Sequence, residues 1–140
     1  MIIKKLSENK FMMRLEKGEE IIESIKNFAK EYNVKSGEIK ALGAVNFVSA
    51  SLYTPENKSY ITKEYSEPFE ITNLYGNISS MNNEPYLHIH ITLANKDFNC
   101  VGGHLNKAII SATFEGYIET FDAEINRVKD ENINLNVWDI

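Results

Sequence analysis

The chain has 140 residues, 43% of them hydrophobic and 25% charged, with seven Tyr and seven Phe; that is enough for one buried core and too short for two ordinary domains. Its 20 Asp and Glu outnumber 15 Lys and Arg for a net charge of −5, which argues against a phosphate-backbone binder built on clustered cations. One cysteine, Cys100, excludes an internal disulfide and fits a reducing compartment, and no apolar run approaches the roughly 20 residues of a membrane span. The expectation is a single domain over residues 1–140 in the cytoplasm, since the opening MIIKKLSENK lacks a signal-peptide core and cleavage site.

In chain order, MIIKKL and FMMRL read as short strands, with the polar SENK as the turn between them. In KGEEIIESIKNFAKEYNV the residues Ile21, Ile22, Ile25, Phe28 and Ala29 recur at helical spacing, with Glu19 and Glu20 at its N-terminal end. Gly18 is expected to start this helix, and Asn33 and Gly37 to stop it. EIKALGAVNFVSASLYT is long, β-branched and apolar on both faces in its middle, as in a strand covered on each side. The helix is the expected cover of one face, and the other falls to another part of the sheet or to a second subunit. SYITKEY, PFEITNLYGNIS, PYLHIHITLA, FNCVGGHL and AIISATFEGYIETF follow as separate strands bounded by Asn, Pro, Gly, Glu or Lys. The fold class is therefore α+β: a central, mostly antiparallel sheet with one main amphipathic helix. The tail DAEINRVKDENINLNVWDI is weakly patterned, with Val137, Trp138 and Ile140 as apolar anchors.

All three histidines, His88, His90 and His104, fall within YLHIHITLANKDFNCVGGHL. His88 and His90 are two apart on a strand and so leave the same face. If Asn95, Lys96 and Asp97 form a three-residue loop, Ala94 faces Phe98, Thr92 faces Cys100, His90 faces Gly102 and His88 faces His104. All three imidazoles then share a face, with Gly102 leaving room for His90 to turn toward the others. A one-residue slip would separate them. Three neutral imidazoles around one point form an open N3 site suited to Zn²⁺, leaving a fourth position for water, a carboxylate or an exogenous ligand. One histidine alone would read as a satisfied core residue; the three together read as a metal or small-ligand site.

The other candidates carry weaker signals. Cys100 shares the predicted face and is a possible fourth ligand, but alone it reads as a small buried hydrophobe. Glu115, in TFEGYIETF, is a candidate carboxylate for that fourth position, but as a lone acid it reads as a solvent-facing or hydrogen-bonded residue before a general base. Arg14 reads as an ordinary ion-pair partner before a grip on an anionic ligand. Gly102 and Gly103 read as a structural turn, because no Lys or Ser/Thr of a phosphate loop follows them.

RLEKGEEIIESIKNFAKE, GEIKALGAV, EPFEITNLYGNIS, LHIHITLAN and GGHL occur in the order seen in the plant and prokaryote conserved (PPC) domain. Over about Phe11 to Phe121 the chain resembles a free-standing prokaryotic member of that family, through H-x-H paired with G-G-H-L and preceded by F-E-I-x-x-L-x-G. The resemblance implies a PPC-like α+β fold and a homotrimer formed through the sheet region. It implies a metal site, usually zinc, at His88, His90 and His104 near a subunit boundary, with Arg14 as a neighbour. Ala108 stands where relatives often have Gly, so the local turn is expected to differ. Plant relatives add an AT-hook built around Arg-Gly-Arg-Pro, a segment this sequence does not contain. Prokaryotic relatives are commonly described as predicted DNA-binding proteins, a property the acidic balance does not support.

Three readings of function follow. The first is a trimeric protein with a three-histidine metal or small-ligand site; the second is a DNA-binding or regulatory module acting weakly or through partners. The third is a metal-dependent hydrolase or lyase, for which no general base stands out.

Overall fold

The computed structural model describes residues 1–140. Chain order is β1 (Ile2–Lys5), β2 (Lys10–Glu16), α1 (Ile21–Glu31), β3 (Gly37–Thr54), β4 (Ser59–Tyr65), β5 (Phe69–Met81), β6 (Glu84–Ala94), β7 (Cys100–Thr120), β8 (Arg127–Asp130) and β9 (Leu135–Trp138). The first seven strands form one sheet in the order β1-β2-β7-β6-β5-β3-β4, and β8 and β9 form a separate hairpin. Every ladder between named strands is antiparallel. This is the α+β architecture expected from the sequence.

An additional ladder between β3 and β7 closes β3, β5, β6 and β7 into a circuit. One core cluster draws on these four strands together with β2 and α1. Along β2, Phe11, Met13 and Leu15 are buried and alternate with exposed residues, the period of two of a strand with one covered face. Ile39, Leu74, Ile78, Ile91, Ile110 and Phe114 add to the same cluster, and α1 brings Ile21, Ile25 and Phe28. Phe28 meets Phe11 edge-on, ring centroids 5.2 Å apart. Contrary to expectation, α1 packs chiefly on β6 and β7 and not on β3. The middle of β3 is covered on both faces only over Val48–Ser51, while Leu42 and Leu52 remain exposed.

The ends of α1 differ in part from the sequence reading. Glu20, not Gly18, caps the N-terminus, its carboxylate accepting hydrogen bonds from the backbone N–H of Ile22 and Glu23. At the C-terminus Asn33 does take the left-handed conformation, φ 51°, and Val34 N–H donates to the carbonyl of Ala29 as in a Schellman cap. Gly37 is not a stop but the first residue of β3, packed so closely that an added Cβ would lie 2.6 Å from the carbonyl oxygen of Glu119.

FNCVGGHL and AIISATFEGYIETF, read as two strands, are one strand of 21 residues, β7. The polar Asn106 and Lys107 between them mark a register shift against β3 at Ser49 and Ala50 rather than a turn. The N-terminal part of β7 lies between β6 and the end of β3, and its C-terminal part between β2 and the start of β3. The weakly patterned tail forms the β8–β9 hairpin, tied to β5 where Arg127 Nε donates to Ser79 Oγ at 2.8 Å and Nη2 to Asn77 Oδ1 at 2.9 Å. No helix is long and apolar enough to cross a membrane.

Candidate metal centre

His88 and His90 sit on β6, where Ile89, Ile91 and Leu93 take the core side and the histidines the other face. The chain turns from β6 into β7 by a three-residue loop, but the loop is Lys96–Phe98 and not Asn95–Asp97. Asn95 N–H donates to the carbonyl of Asn99 at 3.1 Å, and Phe98 adopts a left-handed conformation, φ 60°. The Asn95 side chain steadies the turn by accepting from the N–H groups of Asp97 and Asn99, each at 3.0 Å. Moving the loop one residue moves every cross-strand partner by two. His90 is therefore opposite His104, Thr92 opposite Gly102 and Ala94 opposite Cys100. An even displacement preserves the face, so the three imidazoles still converge although the expected pairs do not.

Gly102 and Gly103 lie within β7, not in a turn, and they leave no open space. A Cβ on Gly102 would be 2.5 Å from the carbonyl oxygen of Ile91, and one on Gly103 2.6 Å from that of Ser51. Their missing side chains let β6, β7 and β3 approach closely where His104 emerges.

The ligand nitrogens of His88, His90 and His104 all lie within 4.8 Å of one another. His88 Nε2 and His90 Nε2 are 3.2 Å apart, and the His88 and His104 rings stack with centroids at 5.0 Å. Tyr60 on β4 packs edge-on against His104 at 5.2 Å. Partial burial, then the positive fields of His104, Arg127 and His90, push the His88 imidazole down to about 4. Burial and His90 lower His104 as well. Both rings are accordingly neutral near pH 7, the form that offers a lone pair to a metal. The set fits a zinc ion: four-coordinate Zn–N bonds of about 2.0–2.1 Å place ligand nitrogens roughly 3.3 Å apart, a spacing reached here by small ring movements.

The other candidates stand elsewhere. Cys100 is exposed rather than buried, because β7 leaves the loop at the sheet's rim, and its sulfur is outside the histidine cluster. Arg14 and Glu115 face each other across β2 and β7, and Arg14 pairs with Glu16 at 3.2 Å. Glu115 is eleven residues beyond His104 on the same strand, roughly 35 Å of extended chain. Arg14 and Glu115 instead line a separate cleft of about 650 Å³.

Sequence reasoning missed Arg127 and the hairpin that carries it. They form one wall of a cleft of about 760 Å³, on whose floor lie His88 and His104. The available signal was composition: Arg127 is one of only two arginines in the chain, placed in a tail containing the sole tryptophan.

Comparison with curated proteins finds no match. Among solved structures, a candidate DNA-binding protein from Bacteroides thetaiotaomicron is 36% identical, with a TM-score of 0.95 over 99% of this chain and 96% of the other. A metal-containing protein from Archaeoglobus fulgidus is 32% identical, with a TM-score of 0.87 over 99% and 98%. A plant- and prokaryote-conserved (PPC) protein from Pyrococcus horikoshii shares the fold at 24% identity, with a TM-score of 0.87 over 99% and 94%. Residues 4–122 match the family described as the Plants and Prokaryotes Conserved (PCC) domain, and the chain belongs to that family.

Proposed function

We propose that this chain is a metal-binding protein in which His88, His90 and His104 hold a divalent ion, zinc by preference, within a cleft that takes a small ligand. The observation that carries the reading is the convergence of three imidazoles, the only ones in the chain, with their ligand nitrogens within 4.8 Å. Three neutral nitrogen donors match the ligand preference of zinc, and the similar Archaeoglobus fulgidus protein is described as metal-containing. A bound zinc would supply a Lewis acid with an open fourth position. Beside it, Tyr60 packs edge-on against the His104 ring and restrains its orientation. No Asp or Glu side chain lines the cleft, which favours binding over a hydrolase or lyase reaction needing a general base.

The proposal includes one domain over residues 1–140, assembly as a homotrimer and a cytoplasmic location. Support for self-association is the exposed apolar sheet surface, where Leu42 is 60% and Tyr117 59% accessible. DNA binding, named for the Bacteroides thetaiotaomicron protein, has a net charge of −5 against it here. Elemental analysis of untagged protein prepared without chelator, with oligomer mass recorded alongside, tests the reading. About one zinc per chain is expected, lost in a His88→Ala/His90→Ala/His104→Ala variant that keeps the same mass. Equal metal in both proteins would reject the site.

A further inference from the structure

Arg127 is a half-buried cation without a carboxylate partner. Its three nitrogens each bond a neutral group: Nε donates to Ser79 Oγ, Nη2 to Asn77 Oδ1 and Nη1 to the carbonyl of Asn136 at 2.7 Å. Those bonds use three of the five guanidinium N–H groups and leave two. The guanidinium also lies against two rings, 4.6 Å from the centroid of Tyr86 and 5.9 Å from that of Trp138. No ion pair includes it. Burial disfavours its charge, and its field in turn disfavours charge on His88. The hydrogen bonds, the stacking and the orientation of the hairpin thus fix a positive charge in a partly desolvated place and leave it unbalanced.

That charge lines the same cleft as His88 and His104. Arg127 is the only Lys or Arg on the lining, and Tyr60, Tyr86, Leu135, Val137 and Trp138 make much of the wall apolar. Two free N–H groups match the two oxygens of one carboxylate, and the single fixed charge balances a monocarboxylate but only half of a phosphate dianion. The aromatic wall selects the rest of the molecule, and about 760 Å³ is the size of a metabolite-sized pocket.

We propose that the cleft binds a small carboxylic acid with an aromatic or apolar body, its carboxylate on Arg127 and its body between Tyr86, Trp138 and Tyr60. The inference deepens the small-ligand part of the function proposed above, yet the anion seat is built by Arg127 and does not depend on the metal. The ligand class is aryl- or alkyl-substituted monocarboxylates, whose single charge and apolar body the cleft matches better than it matches a nucleotide or sugar phosphate.

Trp138 is the chain's only tryptophan, so its fluorescence reports on this cleft. The test is titration of the untagged protein with phenylacetate, its neutral isostere phenylacetamide and inorganic phosphate, in zinc-loaded and chelator-treated samples. The expected result is saturable binding of phenylacetate with and without zinc, and binding of phenylacetamide and of phosphate at least about ten-fold weaker. Arg127→Gln should lose about ten-fold for phenylacetate and distinctly less for phenylacetamide, which forms no ion pair. Because Arg127 also anchors the hairpin, the isostere comparison on the unaltered protein decides the matter if that variant loosens. Equal binding of acid and amide, tighter binding of phosphate, or no saturable signal to about 10 mM phenylacetate would overturn the proposal. Phenylacetate binding in a protein that takes up no zinc would reject the metal reading alone, and zinc uptake without phenylacetate binding would reject this one alone.

Discussion

His90 on β6 lies directly opposite His104 on β7, their ring centroids 4.2 Å apart. Two short-range facts produce that pairing: alternation along β6, which puts His88 on the same face, and the three-residue loop at Lys96–Phe98, which sets the register. The donor cluster is therefore a property of one hairpin, held in place by β5 on one side and β3 on the other.

Removing any one histidine should break metal binding without breaking the fold, because the rings occupy the face opposite Ile89 and Ile91. His88→Ala, His90→Ala and His104→Ala are each expected to weaken zinc affinity by about 100-fold or more. Competition titration with a chromophoric chelator measures this. The urea midpoint of the metal-free proteins should change little.

The metal-free protein should lose stability as pH falls. His88 in the folded chain is pushed down from 6.5 to about 4, and His104 is lowered in the same direction, both first by burial. The unfolded chain therefore binds more protons across this window, so unfolding free energy rises with pH. The contribution is complete above about 6.5 and disappears as pH drops through about 4. Urea denaturation between about pH 4.5 and 7.5 checks the slope, and His88→Asn should flatten it.

Glu20 ties the helix to the sheet. Its Oε1 accepts from Ile22 N–H at 3.1 Å and from Ala108 N–H on β7 at 2.9 Å, and Oε2 accepts from Glu23 N–H at 2.7 Å. Glu20→Ala strips all three and should cost about 2 kcal/mol by urea denaturation, with Glu20→Gln costing less because an amide oxygen still accepts.

Gly76 permits β5 to approach β6 beside the metal centre. A Cβ there would meet the carbonyl oxygen of His88 at 2.6 Å and Ile89 Cα at 2.7 Å, neither of which is free to move. Gly76→Ala should cost roughly 3 kcal/mol of stability and, by displacing β6, also weaken zinc binding; the same denaturation and competition titrations read both.

Much of this architecture is legible in the sequence wherever one residue period dominates. Ile21, Ile25 and Phe28 announce the helix, and the i, i+2 spacing of His88 and His90 announces their common face. The register differs from the one the sequence suggests because Phe98, a bulky residue, occupies the left-handed position where glycine is the usual signal, and the Asn95 side chain supports the turn. Asn106 and Lys107 looked like a turn because polar residues at a register shift resemble a loop until the partner strand is known. The β8–β9 hairpin is hidden because strands of four residues carry too little alternation to read, and Arg127 takes much of its surroundings from Asn77, Ser79 and Tyr86, some forty to fifty residues away. Charged and aromatic residues that meet through tertiary contact leave no local pattern.

The most direct test of the central claim is anomalous diffraction at the zinc edge from crystals of the untagged protein grown with zinc. One peak is expected within about 2.1 Å of a nitrogen of each of His88, His90 and His104. No peak at that point, or zinc bound only at other residues, would contradict it.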